Sequence, residues 1–322
     1  RAPGPAPVAP QIVERTVFQA PPRPVIVASG VSVGLPGGEE VFAEDNFDRI
    51  FAGENRISSL TVDDQDRFLA KKVVRLSKDP KTGQGTFVPV EKRDQVIRLA
   101  GTKKHFDLVE DYGIDAGLAR ALDVSTGLAF AAGLEALKDA GIPLVRTWRD
   151  TTTGKRVPTG WALPEEMRSS TGVIFASAFP GYSKLVDHLQ ANGDDGEGRF
   201  DRRFLFQILA MGHSQFAQLV GAQGPNTQVN AACASTTQAI SIGQDWIECG
   251  RCERVIVVGA DDVTNETLLE WIGTGFLVAG AATTTEEVEK AALPFDRRRH
   301  GMILGMGAVG VVLEKAEAVA AR

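Results

Sequence analysis

The chain has 322 residues, of which 43% are hydrophobic and 24% charged; this supplies a large buried core and excludes a disordered or fibrous protein. A formal net charge of -6, with no basic run interleaved with aromatics, excludes a nucleic-acid partner. No stretch reaches the roughly 18 consecutive apolar residues of a membrane span, and three cysteines are too few for a disulfide framework, so a soluble, cytoplasmic, reduced setting is expected with no membrane partner.

Residues 1–23 carry Pro3, Pro5, Pro7, Pro10, Pro21 and Pro22, the composition of an extended interdomain linker in a multidomain polypeptide. Residues 24–322 then read as one domain. Val25 to Gly30 is a β-branched run closing on glycine, a first strand, and residues 44–53 suit a helix with Phe47, Ile50 and Phe51 on one face. From about 60 to 123 the text turns irregular, with Pro, Gly and mixed charge, as in a surface insertion. Leu128 to Ala140 is a small-residue helix stopped by Gly141, Gly172 to Ala176 a buried strand, and Phe204 to Val220 has helical spacing. Val255 to Ala260 and Ala308 to Leu313 are two further apolar strands. Alternating strands and helices, with strands apolar on both faces, predict an α/β layered fold.

The chemistry concentrates around Cys233. A strand-like segment from Gly224 delivers this cysteine, between Ala231-Ala232 and Ala234-Ser235, to the start of a helix running through Ile240, Trp246 and Ile247 to Gly250. A thiol at a helix amino terminus meets unpaired N–H groups and the positive dipole end, which favour the thiolate by about 0.3–2 kcal/mol. Small neighbours leave room for a bulky thioester. The plain alternative is a buried cysteine acting as a small hydrophobe.

Several other motifs have ordinary readings. Gly305 to Gly310 matches G-x-G-x-x-G but runs into a β-type segment, not the helix that would hold a pyrophosphate. Cys249 and Cys252 form C-x-x-C with no second ligand pair for zinc, and Gly250 accounts for the segment as a helix cap. His105, His188, His213 and His300 are scattered and read as structural or surface residues. No cofactor-binding or metal site is expected.

Gly224-Pro225-Asn226 followed by Ala232-Cys233-Ala234-Ser235 resembles the active-site segment of β-ketoacyl synthases. Leu293-Pro294-Phe295-Asp296-Arg297 with Gly301 to Glu314 is similar to their glycine-rich strand segment, in the same order. Val25 to Gly34, Leu128 to Gly141, Gly172 to Tyr182 and Gly250 to Ala260 extend the resemblance over roughly residues 24–322, the nucleophile-bearing amino-terminal half of such a domain in a fatty-acid or polyketide multidomain synthase. The resemblance implies a thiolase-like αβαβα fold and a homodimer. It implies that Cys233 takes an acyl group from the phosphopantetheine of an acyl carrier protein. A malonyl-type thioester then loses carbon dioxide and condenses with that acyl group. Phe179 and Tyr182, after the Gly172 strand, become candidates to line an acyl pocket. The family's catalytic histidines and lysine belong to a carboxy-terminal half, which is therefore an expected partner of this one. Two departures stand out: Met306 where the family often has an acidic residue, and His300-Gly301-Met302 where Asp-Gly-Phe is usual. They keep a second reading open, a non-catalytic thiolase-like subunit that shapes a partner's acyl tunnel. A thiolase-fold acyl-transfer or hydrolysis enzyme without decarboxylation is the third.

Overall fold

The computed structural model describes residues 23–79, 81–192, 204–209 and 211–322. The proline-rich linker lies outside them except for its last residue. In chain order the elements are β1 (Ile26–Gly34), α1 (Asn46–Phe51), β2 (Ser58–Ser59), α2 (Val62–Ala70), the hairpin β3 (Val74–Lys78) and β4 (Gly85–Pro89), β5 (Leu99–Gly101), α3 (Ala116–Ala121) and α4 (Val124–Asp139). There follow a second hairpin, β6 (Val145–Asp150) and β7 (Arg156–Ala162), then α5 (Glu165–Arg168), β8 (Thr171–Ala176), α6 (Tyr182–Asn192), α7 (Phe204–Ile208) and α8 (Gly212–Val220). The last part holds β9 (Asn226–Val229), α9 (Ser235–Glu248), β10 (Arg254–Asp262), α10 (Glu266–Val278), α11 (Val288–Ala291), β11 (Leu304–Lys315) and α12 (Ala316–Ala320). None of the described helices is long and apolar enough to cross a membrane.

Seven strands form the main sheet, in the order β2-β5-β11-β10-β8-β9, with β1 also paired to β11. β8 is parallel to both β9 and β10, whereas β11 runs antiparallel to β10 and β1. The first residues of β11, Leu304 and Gly305, pair with β5 before its later residues pair with β1. β8 and β10 are buried on both sides, which explains their continuous apolar runs.

α4 covers one face of the sheet. Asp123 caps it, accepting the Thr126 N–H at 3.2 Å, and Gly141, at φ +68°, follows its end. Its small residues let it lie close: a Cβ on Gly30 of β1 would stand 2.3 Å from the Ala136 carbonyl. Leu128, Phe130 and Leu137 of α4 pack in one buried cluster with Phe216 of α8, Val258 and Val312. α9 covers the other face, where Ala239 and Ile247 join Ile174, Val255, Val257 and Leu313. The described residues thus form an α-β-α sandwich, three consecutive layers of an αβαβα order.

The stretch read as an insertion is more than a surface excursion. Leu60, Phe68, Val96 and Ile97 form a buried cluster with Leu269, Leu277 and Leu304, and β5 joins the main sheet. The apolar face of α1 is open: Phe47, Ile50 and Phe51 are 39%, 46% and 85% exposed. The helical spacing read across 204–220 resolves into α7 and α8. A Cβ on Gly212, at the start of α8, would stand 2.4 Å from the Phe175 ring, so glycine there lets the second helix begin flush against β8.

Candidate active site

β9 ends at Val229 and the chain reaches α9 in five residues. Asn230 makes the first turn: its Oδ1 accepts the N–H of Ala232 at 3.2 Å. Ala232 sits at φ +50°, a left-handed conformation that costs a residue with a β-carbon about 1–2 kcal/mol. Ser235, buried at the helix start, accepts the Ala231 N–H at 2.9 Å and donates to the Ala232 carbonyl at 2.6 Å. Between these two side chains Cys233 is lifted out of the turn, exposed, one residue before the helix N-cap Ala234. The expected placement of the thiol at the amino end of a 14-residue helix is what the chain builds.

Cys233 opens into a cleft of about 540 Å³ between the amino end of α9, the face of β11 and the loop after β8. Phe179, Asp261, Phe276, Met302 and Met306 line it with Cys233. Of the two aromatics proposed from sequence, Phe179 therefore shares the cleft with the cysteine. Tyr182 contacts the Phe179 ring edge-on, with centroids 6.0 Å apart, but is 46% exposed and is not among the cleft's lining residues.

Two carboxylates hold the loop that carries Phe179, and sequence reading missed both. Asp261, at the end of β10, accepts the Ser177 hydroxyl at 2.7 Å and the N–H groups of Ala178 and Phe179 at 2.8 and 3.0 Å. Burial pushes its carboxyl above the ordinary value; the three donors oppose this, and the charge of Asp123 adds to it. Asp123 accepts the Gly181 N–H at 3.0 Å with the oxygen not used to cap α4. Asn230 closes the circuit, donating from Nδ2 to the Ala178 carbonyl at 3.1 Å. A signal was present in the sequence: Asp261-Asp262 follows directly on the apolar run Val255 to Ala260, where charge needs a partner.

The remaining candidates fall elsewhere. None of the four histidines is among the residues lining the cleft. Burial pushes His213 below its ordinary value on α8, His188 stacks edge-on against Phe204, and His105 sits 3.5 Å from Asp111. Cys249 is exposed at the end of α9, and burial pushes the Cys252 thiol up. The G-x-G-x-x-G segment is the interior of β11 and runs on as strand to Lys315 instead of opening a helix. Among the described residues no group of three or more His, Cys, Asp or Glu side chains is arranged to hold a metal ion.

Comparison with known proteins places this geometry. Residues 23–318 match the family model described as beta-ketoacyl synthase, N-terminal domain. The 3-oxoacyl-[acyl-carrier-protein] synthase 2 of Staphylococcus aureus is 29% identical over 228 residues, 70% of this chain and 50% of the relative. That of Vibrio harveyi is 28% identical over 244 residues, 74% of this chain and 53% of the relative. The chain spans about half the length of the curated relatives it matches. Among solved structures, a beta-ketoacyl synthase from Burkholderia phymatum STM815 superimposes with a TM-score of 0.65 at 19% identity, covering 93% of this chain and 61% of the other. The ishigamide ketosynthase/chain length factor gives 0.64 at 21% identity, covering 94% and 60%. The fold is thus the thiolase-like fold of ketosynthases, and the chain belongs to the β-ketoacyl synthase family, matching its N-terminal domain over residues 23–318.

Proposed function

We propose that this chain is the acyl-accepting half of a β-ketoacyl synthase acting in the cytoplasm in fatty-acid or polyketide synthesis. The observation that carries the reading is Cys233, raised on a strained turn at the amino end of α9 and facing a cleft. The thiolate attacks the carbonyl of an acyl thioester presented on the phosphopantetheine of an acyl carrier protein. A carbon–sulfur bond forms to Cys233 while the carrier's sulfur leaves with the electron pair and takes up a proton. The backbone N–H of Cys233 donates to the oxyanion formed in between. A malonyl-type thioester then loses carbon dioxide, and its carbanion attacks the enzyme-bound carbonyl and expels the Cys233 thiolate. The histidines that assist this second step belong to a carboxy-terminal half, with which this half pairs. The substrates arrive on the carrier, and no further cofactor enters. β9 ends the sheet order and pairs only with β8 among the described residues, an edge suited to a second copy in a homodimer.

One observation favours a second reading, a non-catalytic subunit that shapes a partner's tunnel. Met306, buried and lining the cleft, stands where the family often has an acid. The test is to incubate the full-length protein and its Cys233→Ala variant with an acyl-pantetheine thioester and map the added mass by peptide mass spectrometry. An adduct on Cys233 that is lost in the variant is expected. A folded full-length protein with no adduct there moves the assignment to the non-catalytic subunit.

A further inference from the structure

We propose that Asn230 is a positioning residue for Cys233, holding Ala232 in its left-handed conformation and tying that turn to the loop after β8 that carries Phe179. The inference rests on the acyl-acceptor reading of Cys233. Alanine has no side-chain atom with which to stabilise φ +50° for itself, so the surroundings must do it. Asn230 supplies the acceptor for the strained residue's own N–H, and Ser235 supplies the donor for its carbonyl. Ser235 acts only within the turn. Asn230 also reaches the end of the neighbouring strand: its amide nitrogen donates to the Ala178 carbonyl, in the loop that Asp261 pins through three hydrogen bonds. One partner is an N–H and the other a carbonyl, so the amide can face only one way. That single side chain therefore joins the Ala231–Ala232 peptide, one removed from Cys233, to the peptide immediately before Phe179, and Cys233 and Phe179 both line the cleft. It fixes where the sulfur points relative to the aromatic without touching a substrate.

The test uses the full-length protein and the rate of alkylation by iodoacetamide at Cys233, read by mass spectrometry, with exposed Cys249 in the same molecule as the internal standard. Asn230→Ala is expected to slow Cys233 about tenfold relative to Cys249, the equivalent of one hydrogen bond. Asn230→Ser keeps a local acceptor for the Ala232 N–H and is expected to stay within about threefold of the parent. Adding Ala232→Gly to Asn230→Ala should recover most of the lost rate, because glycine adopts this φ without strain. An unchanged Cys233:Cys249 ratio in Asn230→Ala, an equal loss in the Ser and Ala variants, or no recovery in the double variant would overturn the proposal. Should Asn230→Ala alone not fold, the Ser and double variants carry the same comparison. Acyl-pantetheine labelling of the parent is scored separately: a Cys233 that alkylates normally but takes no acyl group sinks the acyl-acceptor reading and leaves the positioning result standing.

Discussion

Arg254 and Glu314 face each other across the ladder between β10 and β11, and the guanidinium Nε donates to the Glu314 carboxylate at 2.6 Å with both side chains 5% exposed or less. Arg322 adds two hydrogen bonds of 2.9 and 3.0 Å, and the Ser29 hydroxyl adds one of 2.5 Å from β1. One carboxylate thus joins the ends of three strands. Glu314→Ala leaves a buried guanidinium unpaired and is expected to lower stability by about 3–5 kcal/mol, measured by urea unfolding. Burial pushes Glu314 up, but the hydrogen bonds from Arg322, Ser29 and Arg254 outweigh it and hold the carboxyl below its ordinary 4.5. A depressed carboxyl gives stability that is present above its unfolded value and lost as pH falls through the folded one. The gap between the parent and Glu314→Gln should therefore close as pH is lowered from 4.5; a gap that stays constant into acid would show that the carboxylate's charge is not what stabilises the junction.

How far this arrangement was legible in the sequence depended on what kind of residue carries each feature. Cys233 was visible because a strand-like segment stops at a cluster of small residues and a helical spacing begins at once. The φ of Ala232 was not, since alanine carries no signature of a left-handed turn where glycine or asparagine would. The β6–β7 hairpin escaped notice because a register shift between Thr147 and Trp148 breaks the alternation by which a strand is recognised. On α1 the spacing groups Phe47, Ile50 and Phe51 on one face, but a face shows only that something apolar belongs against it, and all three remain open. Asp261 acts through hydrogen bonds to a loop more than eighty residues earlier, a pairing that no local pattern encodes.

Met306 is 6% exposed and stands opposite Asp262, which is fully buried. Thr264 occupies one oxygen of Asp262 through its N–H and hydroxyl, at 2.9 and 2.8 Å. The other, Oδ2, is buried with no hydrogen-bond partner among the described residues. An acid introduced at this position by Met306→Glu would set a second carboxylate beside this one in apolar surroundings. The expected cost is about 3–5 kcal/mol in urea unfolding, against less than about 1.5 for the volume-conserving Met306→Leu. Adding Asp262→Asn to Met306→Glu should return a large part of that loss, because the two effects share one site. Strict additivity of the two substitutions would refute the coupling.

Gly307 and Gly310 lie three residues apart in β11, within the sequence that mimics a nucleotide loop, yet their surroundings differ. A Cβ on Gly310 would stand 2.2 Å from the Ala132 carbonyl and 2.7 Å from the Ser32 hydroxyl, which itself donates to that carbonyl at 2.7 Å. The Ala132 carbonyl is helix backbone and cannot step aside, so Gly310→Ala must push α4 off the sheet, at an expected cost of about 2–3 kcal/mol. A Cβ on Gly307 would meet nothing within 4 Å. Gly307→Ala should be neutral or gain about 0.5 kcal/mol, since glycine weakens a strand interior. A phosphate-cradling loop would need both glycines for close backbone approach, and its substitutions would leave stability alone while abolishing nucleotide binding. Thermal unfolding of the two variants separates these cases: loss confined to Gly310→Ala assigns the motif to helix–sheet packing, and equal behaviour of the two would refute that assignment.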